Sequence, residues 1–286
     1  MSMTSHSMTS HRLACLGPHG FHRIAYVEWP GPPGARTVLC IHGLTRNGRD
    51  FDMLAAALSR RWRVVCPDVV GRGKSEWLAH PEDYGYPLYL SDMTALIARL
   101  DVAELDIVGT SMGGLIGMML AAQPGSPIRR LVINDIGPLI AKEGLERIAS
   151  YVGADPGFDD LAQLEAYLRQ VSASFGNLTD AQWRHLAEHG ARRRPDGKLG
   201  RAYDPGIAGA FATIQGDVDL WSVWDKIACP TLVLRGALSD LLRRADAEAM
   251  TARGPKARLV EFPGIGHAPA LMDAEQIGVI EDFLAA

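Results

Sequence analysis

The sequence predicts an α/β protein, a mostly parallel central sheet flanked by helices and interrupted by a helical cap insertion. Three observations predict it. Short apolar runs of strand length alternate with stretches of helical period. Several of those runs are apolar at every position, as expected of strands covered on both faces. Between residues 138 and 225 the strand-like runs stop and helical stretches replace them.

The elements follow in order. "FHRIAYVEW" (21–29) reads as a strand and "PGPPG" as the turn after it. "RTVLCIHG" (36–43) is a buried strand ending in glycine. Arg49 to Arg61 is a helix with Phe51, Leu54, Ala55 and Leu58 on one face. "WRVVCPD" (62–68) is a strand, followed by the glycine-rich loop "VVGRGKS", in which Asp68 reads as a loop organiser. Ser91 to Leu100 is a helix, "ELDIVGTS" (104–111) a strand, Met112 to Ala122 a helix and "RRLVINDIG" (129–137) a strand. In the insertion, helices are expected over Leu139–Val152, Leu161–Phe175 and Thr179–Gly190. Asp159-Asp160 and Thr179-Asp180 resemble N-terminal caps of the last two. The stretch "DVDLWSVWDKI" carries two tryptophans. Strands resume at "CPTLVLRG" (229–236) and "ARLVEFPG" (257–264), and "DAEQIGVIEDFLAA" closes the chain as an amphipathic helix. The expected division is a disordered extension over 1–11, a core over 12–137 and 226–286, and a cap over 138–225.

Composition narrows the partners. The 286 residues are 47% hydrophobic and 22% charged, with a formal net charge of −4. No basic excess calls for a nucleic-acid partner. The run Arg192-Arg193-Arg194 reads as a solvated loop. No apolar run approaches the roughly 20 residues of a membrane span. The N-terminus repeats SMTSH and lacks the apolar core of a secretory signal. Cys15, Cys40, Cys66 and Cys229 match no zinc spacing, so no metal is expected. Cys40 and Cys66 lie in apolar runs as buried thiols, which places the protein in the reducing cytoplasm.

In a parallel sheet the C-terminal ends of the strands open on one edge, where ligands bind. Beyond those ends lie His42-Gly43-Leu44-Thr45-Arg46, then Thr110-Ser111-Met112-Gly113-Gly114, then Asp135, then Ser239-Asp240, then Gly266-His267. A serine, two candidate acids and a histidine therefore meet at one rim. Gly109 and Gly113 allow a sharp strand-to-helix turn that pushes the Ser111 hydroxyl outward at a helix N-terminus. Serine needs a base within hydrogen-bond reach, and His267 is the only histidine beyond residue 189. A carboxylate must then fix the imidazole tautomer.

"HGLTRN", "DVVGRGKS", "GTSMGG", "LRGALSD" and "GIGHAPAL", in this order and strand context, resemble the α/β-hydrolase family from about Phe21 to Ala286. The resemblance implies Ser111 as nucleophile, His267 as base and Asp240 as acid. Asp240 follows the penultimate strand, the usual position in the family; Asp135, after the strand before the insertion, is where some members carry the acid instead. The amides of Leu44 and Met112 are the implied oxyanion hole, and His42 orders the first of these loops. Arg46, Trp221 and Trp224 are candidate substrate contacts, each weighed against a bracing or core role. The implied activity is that of a serine hydrolase acting through an acyl-enzyme on a small to medium carboxylic ester or lactone, with no cofactor. Serine at 111, where haloalkane dehalogenases and epoxide hydrolases use aspartate, separates the chain from those relatives. The alternatives are a C–C bond hydrolase of diketone-type ring-cleavage products and an inactive ligand-binding member. "LTRNGRD" lacks the glycine- and proline-rich stretch of the C–C hydrolases, and all three triad positions have candidates.

Overall fold

A computed structural model describes residues 8–211 and 216–286. The first half runs β1 (Thr9–Gly17), β2 (Gly20–Trp29), β3 (Thr37–Ile41), α1 (Asp52–Leu58), β4 (Arg63–Asp68), α2 (Tyr86–Leu100), β5 (Leu105–Thr110), α3 (Met112–Ala121) and β6 (Ile128–Asn134). The insertion contributes β7 (Leu139–Ile140), α4 (Lys142–Ala149), α5 (Leu161–Val171), α6 (Asp180–Gly190), β8 (Ala191–Arg193), β9 (Leu199–Arg201), β10 (Val218–Asp219) and α7 (Trp221–Trp224). The chain ends with β11 (Thr231–Gly236), α8 (Arg244–Ala252), β12 (Arg258–Phe262) and α9 (Ala274–Ala285).

Eight strands form one sheet in the order β1-β2-β4-β3-β5-β6-β11-β12. The two pairings at the β1 edge are antiparallel and the rest are parallel. The uninterrupted apolar runs have the anticipated cause. On β3, Leu39 and Ile41 face a core shared with α2, α3 and α8, while Val38 and Cys40 face the opposite core with α1 and α9. A strand of period two with helices on both faces has no polar side to show. The chain leaves β3 toward β4 but continues from β5 in the other direction. The gap between the ends of β3 and β5 is therefore the topological switch point, where open α/β sheets hold their ligands.

Three features depart from the sequence reading. The extension expected over 1–11 lies outside the described residues as far as residue 7. Thr9 to His11, however, begin β1, opposite Glu28, Val27 and Tyr26. This edge strand buries little besides Cys15, so its hydrophobic signal is faint. The insertion is not purely helical: β7 pairs with β10, and β8 with β9. The second hairpin turns through Pro195-Asp196-Gly197, with Gly197 at φ 83° and its N–H donating to Arg194 O. The arginine run at 192–194 therefore lies along this hairpin. Arg192 and Arg194 both bind Asp155, at 2.5 and 2.6 Å. Finally, α8 has no counterpart in the sequence reading, and α2 starts at Tyr86, with a proline in its first turn, rather than at Ser91.

The cap signals at α5 and α6 hold. Asp160 accepts from Gln163 N, and Thr179 forms a reciprocal capping box with Gln182. These two helices build a small core of their own with Phe158, Leu164, Leu168, Trp183, Leu186 and Met272. Among the described residues, no helix is long and apolar enough to cross a membrane.

Candidate active site

Ser111 sits where β5 turns directly into α3, at φ 52° and ψ −115°. That left-handed backbone is costly for a side chain bearing a Cβ and is held by its surroundings. Ser111 N donates to Asn134 O at 2.9 Å. The turn closes because two neighbours lack side chains. A Cβ on Gly113 would lie 1.9 Å from Ile41 O, and one on Gly109 would lie 2.3 Å from Gly113 O.

The histidine reaches the serine. The Ser111 hydroxyl lies 2.9 Å from His267 Nε2, and His267 Nδ1 lies 2.8 Å from Asp135 Oδ2. The geometry suits a neutral imidazole that donates from Nδ1 and accepts the serine proton at Nε2. Asp135 is fully buried and further held by the Gly236 amide at 2.8 Å and the Ser239 hydroxyl at 2.6 Å.

Asp240, the acid implied by resemblance, is not in this chain of hydrogen bonds. In the loop after β11 it is Ser239 that turns inward and donates to Asp135. Asp240 points out, half-exposed, and pairs with Arg147 of α4 at 2.6 Å. The carboxylate that meets His267 is the alternative one, after β6.

The expected oxyanion loops flank the serine. Neither the Leu44 nor the Met112 N–H donates to a backbone carbonyl among the described residues, and both residues are held by neighbours. His42 is fully buried between Gly43 O, which takes its Nδ1 proton at 2.7 Å, and the Val69 N–H, which donates to Nε2 at 2.9 Å. Burial pushes its imidazole down to about 4, so it stays neutral and braces the loop. Arg72, missed in the sequence, donates to Leu44 O at 2.9 Å and contacts Met112 Sδ at 3.7 Å. It is fully buried beneath the Tyr84 and Tyr89 rings, in the loop that Asp68 organises through the Gly48 and Lys74 amides. The arginine of "VVGRGKS" was the available signal.

A cavity of about 310 Å³ opens over Ser111 and His267. The insertion walls it with Ile148, Tyr151, Val171, Phe175 and Arg201. Arg46 lines it too, but is clamped by Asp50 through two bonds of 2.7 Å. Trp221 and Trp224 do not line it. Trp224 is buried in the core, its indole N–H donating to Arg253 O, and Trp221 lies under the Arg253 guanidinium. Both tryptophans pack where α7 meets α3, away from the strand ends. The insertion also grips the histidine loop directly. The Ser174 hydroxyl donates to His267 O at 2.6 Å, and Gly266 N donates to Ser174 O at 2.9 Å.

Fold and site define an α/β hydrolase. The chain belongs to the alpha/beta hydrolase family, whose model matches residues 38–277. It is 48% identical to a 3-hydroxybutyrate-oligomer hydrolase of Cupriavidus necator, across 94% of this chain and 95% of that one. A crystal structure of a putative hydrolase from Rickettsia typhi superposes with a TM-score of 0.90 at 35% identity, covering 98% of this chain and 99% of the other. An α/β hydrolase from Novosphingobium aromaticivorans superposes at 0.87 with 36% identity, covering 96% and 98%. The chain is a hydrolase of the esterase-like kind.

Proposed function

We propose that the enzyme hydrolyses carboxylic esters through an acyl-enzyme on Ser111, with His267 as general base and Asp135 as the acid that orients it. The observation that carries this reading is the unbroken hydrogen-bond chain from Asp135 through His267 to the Ser111 hydroxyl at the cavity floor. His267 Nε2 takes the serine proton as Oγ attacks the acyl carbon. The Leu44 and Met112 amides receive the oxyanion, each contributing about 3–4 kcal/mol to the transition state. His267 returns the proton to the leaving alcohol. Water then repeats the sequence on the acyl-enzyme, so one ester and one water yield one acid and one alcohol.

The substrate class we infer is a short ester of a hydroxycarboxylic acid. The relative from Cupriavidus necator, named for 3-hydroxybutyrate oligomers, supports it, as does a cavity closed by an insertion rather than an open groove. Residues 138–225 act as the cap in this reading, and the unpaired cysteines suit the cytoplasm.

A fluorophosphonate probe tests the nucleophile. Stoichiometric labelling of Ser111, with Ser111→Ala unlabelled and its kcat on p-nitrophenyl butyrate lower by about 10⁶-fold, is the expected result. An unlabelled but folded wild type would end the serine mechanism.

A further inference from the structure

Three arginines line the cavity, and one of them has no carboxylate partner among the described residues. Arg46 is neutralised by Asp50 and Arg147 by Asp240. Arg201, at the end of β9, is 6% exposed and pairs with no carboxylate among the described residues. Its partners are uncharged: Thr45 Oγ1 at 2.9 Å and the Tyr203 hydroxyl at 3.3 Å, with its guanidinium 4.7 Å from the centre of the Tyr203 ring. Acids on adjoining segments are committed elsewhere. Asp155 is bound by Arg192 and Arg194, and Asp204 accepts the Tyr84 hydroxyl.

Burying a permanently charged group is costly unless an anion meets it. Here the described residues supply none, yet Arg201 forms part of the cavity wall. Its fork of five N–H donors matches a carboxylate edge-on, and among the described residues two acceptors use it. The bond to Thr45 fixes where that fork lies. Thr45 directly follows Leu44, so the cation is fastened to the loop whose amide faces the reacting ester.

We propose that Arg201 anchors a free carboxylate of the substrate, making the enzyme selective for esters whose acid or alcohol portion carries a carboxylate a few bonds from the scissile link. The inference rests on the ester-hydrolase reading of the same site. A linear hydroxyacid oligomer has one free carboxylate, at one end. Anchoring that end sets a nearby ester bond against Ser111, so units leave from the carboxyl terminus.

The test compares the linear 3-hydroxybutyrate dimer with its methyl ester, in which the carboxylate is capped. Wild type is expected to favour the free acid in kcat/KM by at least about 30-fold, and in Arg201→Gln that ratio falls toward one. Arg201→Lys, which keeps a point charge without the fork, retains part of it. A ratio that is near one in wild type, or unchanged in Arg201→Gln, overturns the proposal, because a purely structural arginine would lower both substrates alike. Titration of sodium 3-hydroxybutyrate into Ser111→Ala, with and without Arg201→Gln, separates this inference from the catalytic reading. Binding weakened at least about 10-fold by Arg201→Gln supports the anchor even if no ester is cleaved. Binding indifferent to Arg201 rejects it even if esters are.

Discussion

The strand ends and the insertion meet over the same cavity but are built differently. Ser111, Asp135 and the His42–Leu44 loop sit on the ends of parallel strands whose positions are locked by backbone pairing and by two packed cores. Arg201 ends the second of two three-residue strands, Phe175 lies just beyond α5 against the small core of the insertion, and Tyr151 lies just beyond α4 against the main core. In the proposed reading, chemistry therefore sits on the rigid frame and recognition on the part that varies most easily. The contrast can be broken or sharpened experimentally.

After Ser111→Ala, the largest effect is expected at the buried acid. Asp135→Asn removes the carboxylate that orients His267 and lowers kcat by about 10⁴-fold, measured on p-nitrophenyl butyrate. A loss of less than tenfold would remove Asp135 from the mechanism. Next comes the turn beneath Ser111. Gly113→Ala puts a methyl group 1.9 Å from Ile41 O, where only backbone could yield. Destabilisation of at least about 3 kcal/mol follows, read as a lowered urea midpoint. The same substitution at Gly209 in the insertion, where a Cβ meets nothing within 4 Å, leaves stability within about 0.5 kcal/mol of wild type.

A smaller effect depends on pH. His42 titrates near 4 when folded against 6.5 ordinarily. Between those values the unfolded chain binds a proton that the folded chain refuses, so His42 makes stability fall as pH drops through this window. Asp68, pushed up from 3.8 to about 6 by burial, acts with the opposite sign: the folded chain takes up a proton first, so it adds stability as pH falls from about 6 toward 3.8. The contribution of His42 appears in the difference. His42→Gln should lose less stability than wild type between pH 7 and 4.5 by urea denaturation, and equal losses would contradict the assignment. The smallest effect belongs to Asp240→Asn. It breaks only a solvent-screened pair with Arg147, so kcat should change less than about threefold.

What could be read in the sequence divides along the same boundary. Apolar runs on both faces of β3, β4 and β5 announced the sheet, and strand-end loops announced Ser111 and His267 as neighbours. The choice between Asp135 and Asp240 needed coordinates, because adjacent residues of a loop differ only in which one turns inward. Ser239 takes that direction and leaves Asp240 in solvent. Inside the insertion, periodicity located α5 and α6 but not the β8–β9 hairpin, whose strands are too short to show alternation. Arg201 was lost with it. Trp221 and Trp224, weighed between ligand wall and core, take the core side, and aromatic content alone does not say which face of a helix meets the core.

Ser174 ties the two regions together in a way that constrains how they can evolve. One residue of the insertion grips the loop of His267 by both its hydroxyl and its carbonyl. Any rearrangement that swings this part of the insertion aside to admit a larger molecule must release the His267 loop from its seat. Selectivity and reactivity are thus wired in series, and a roof borrowed from another hydrolase would have to bring its own latch.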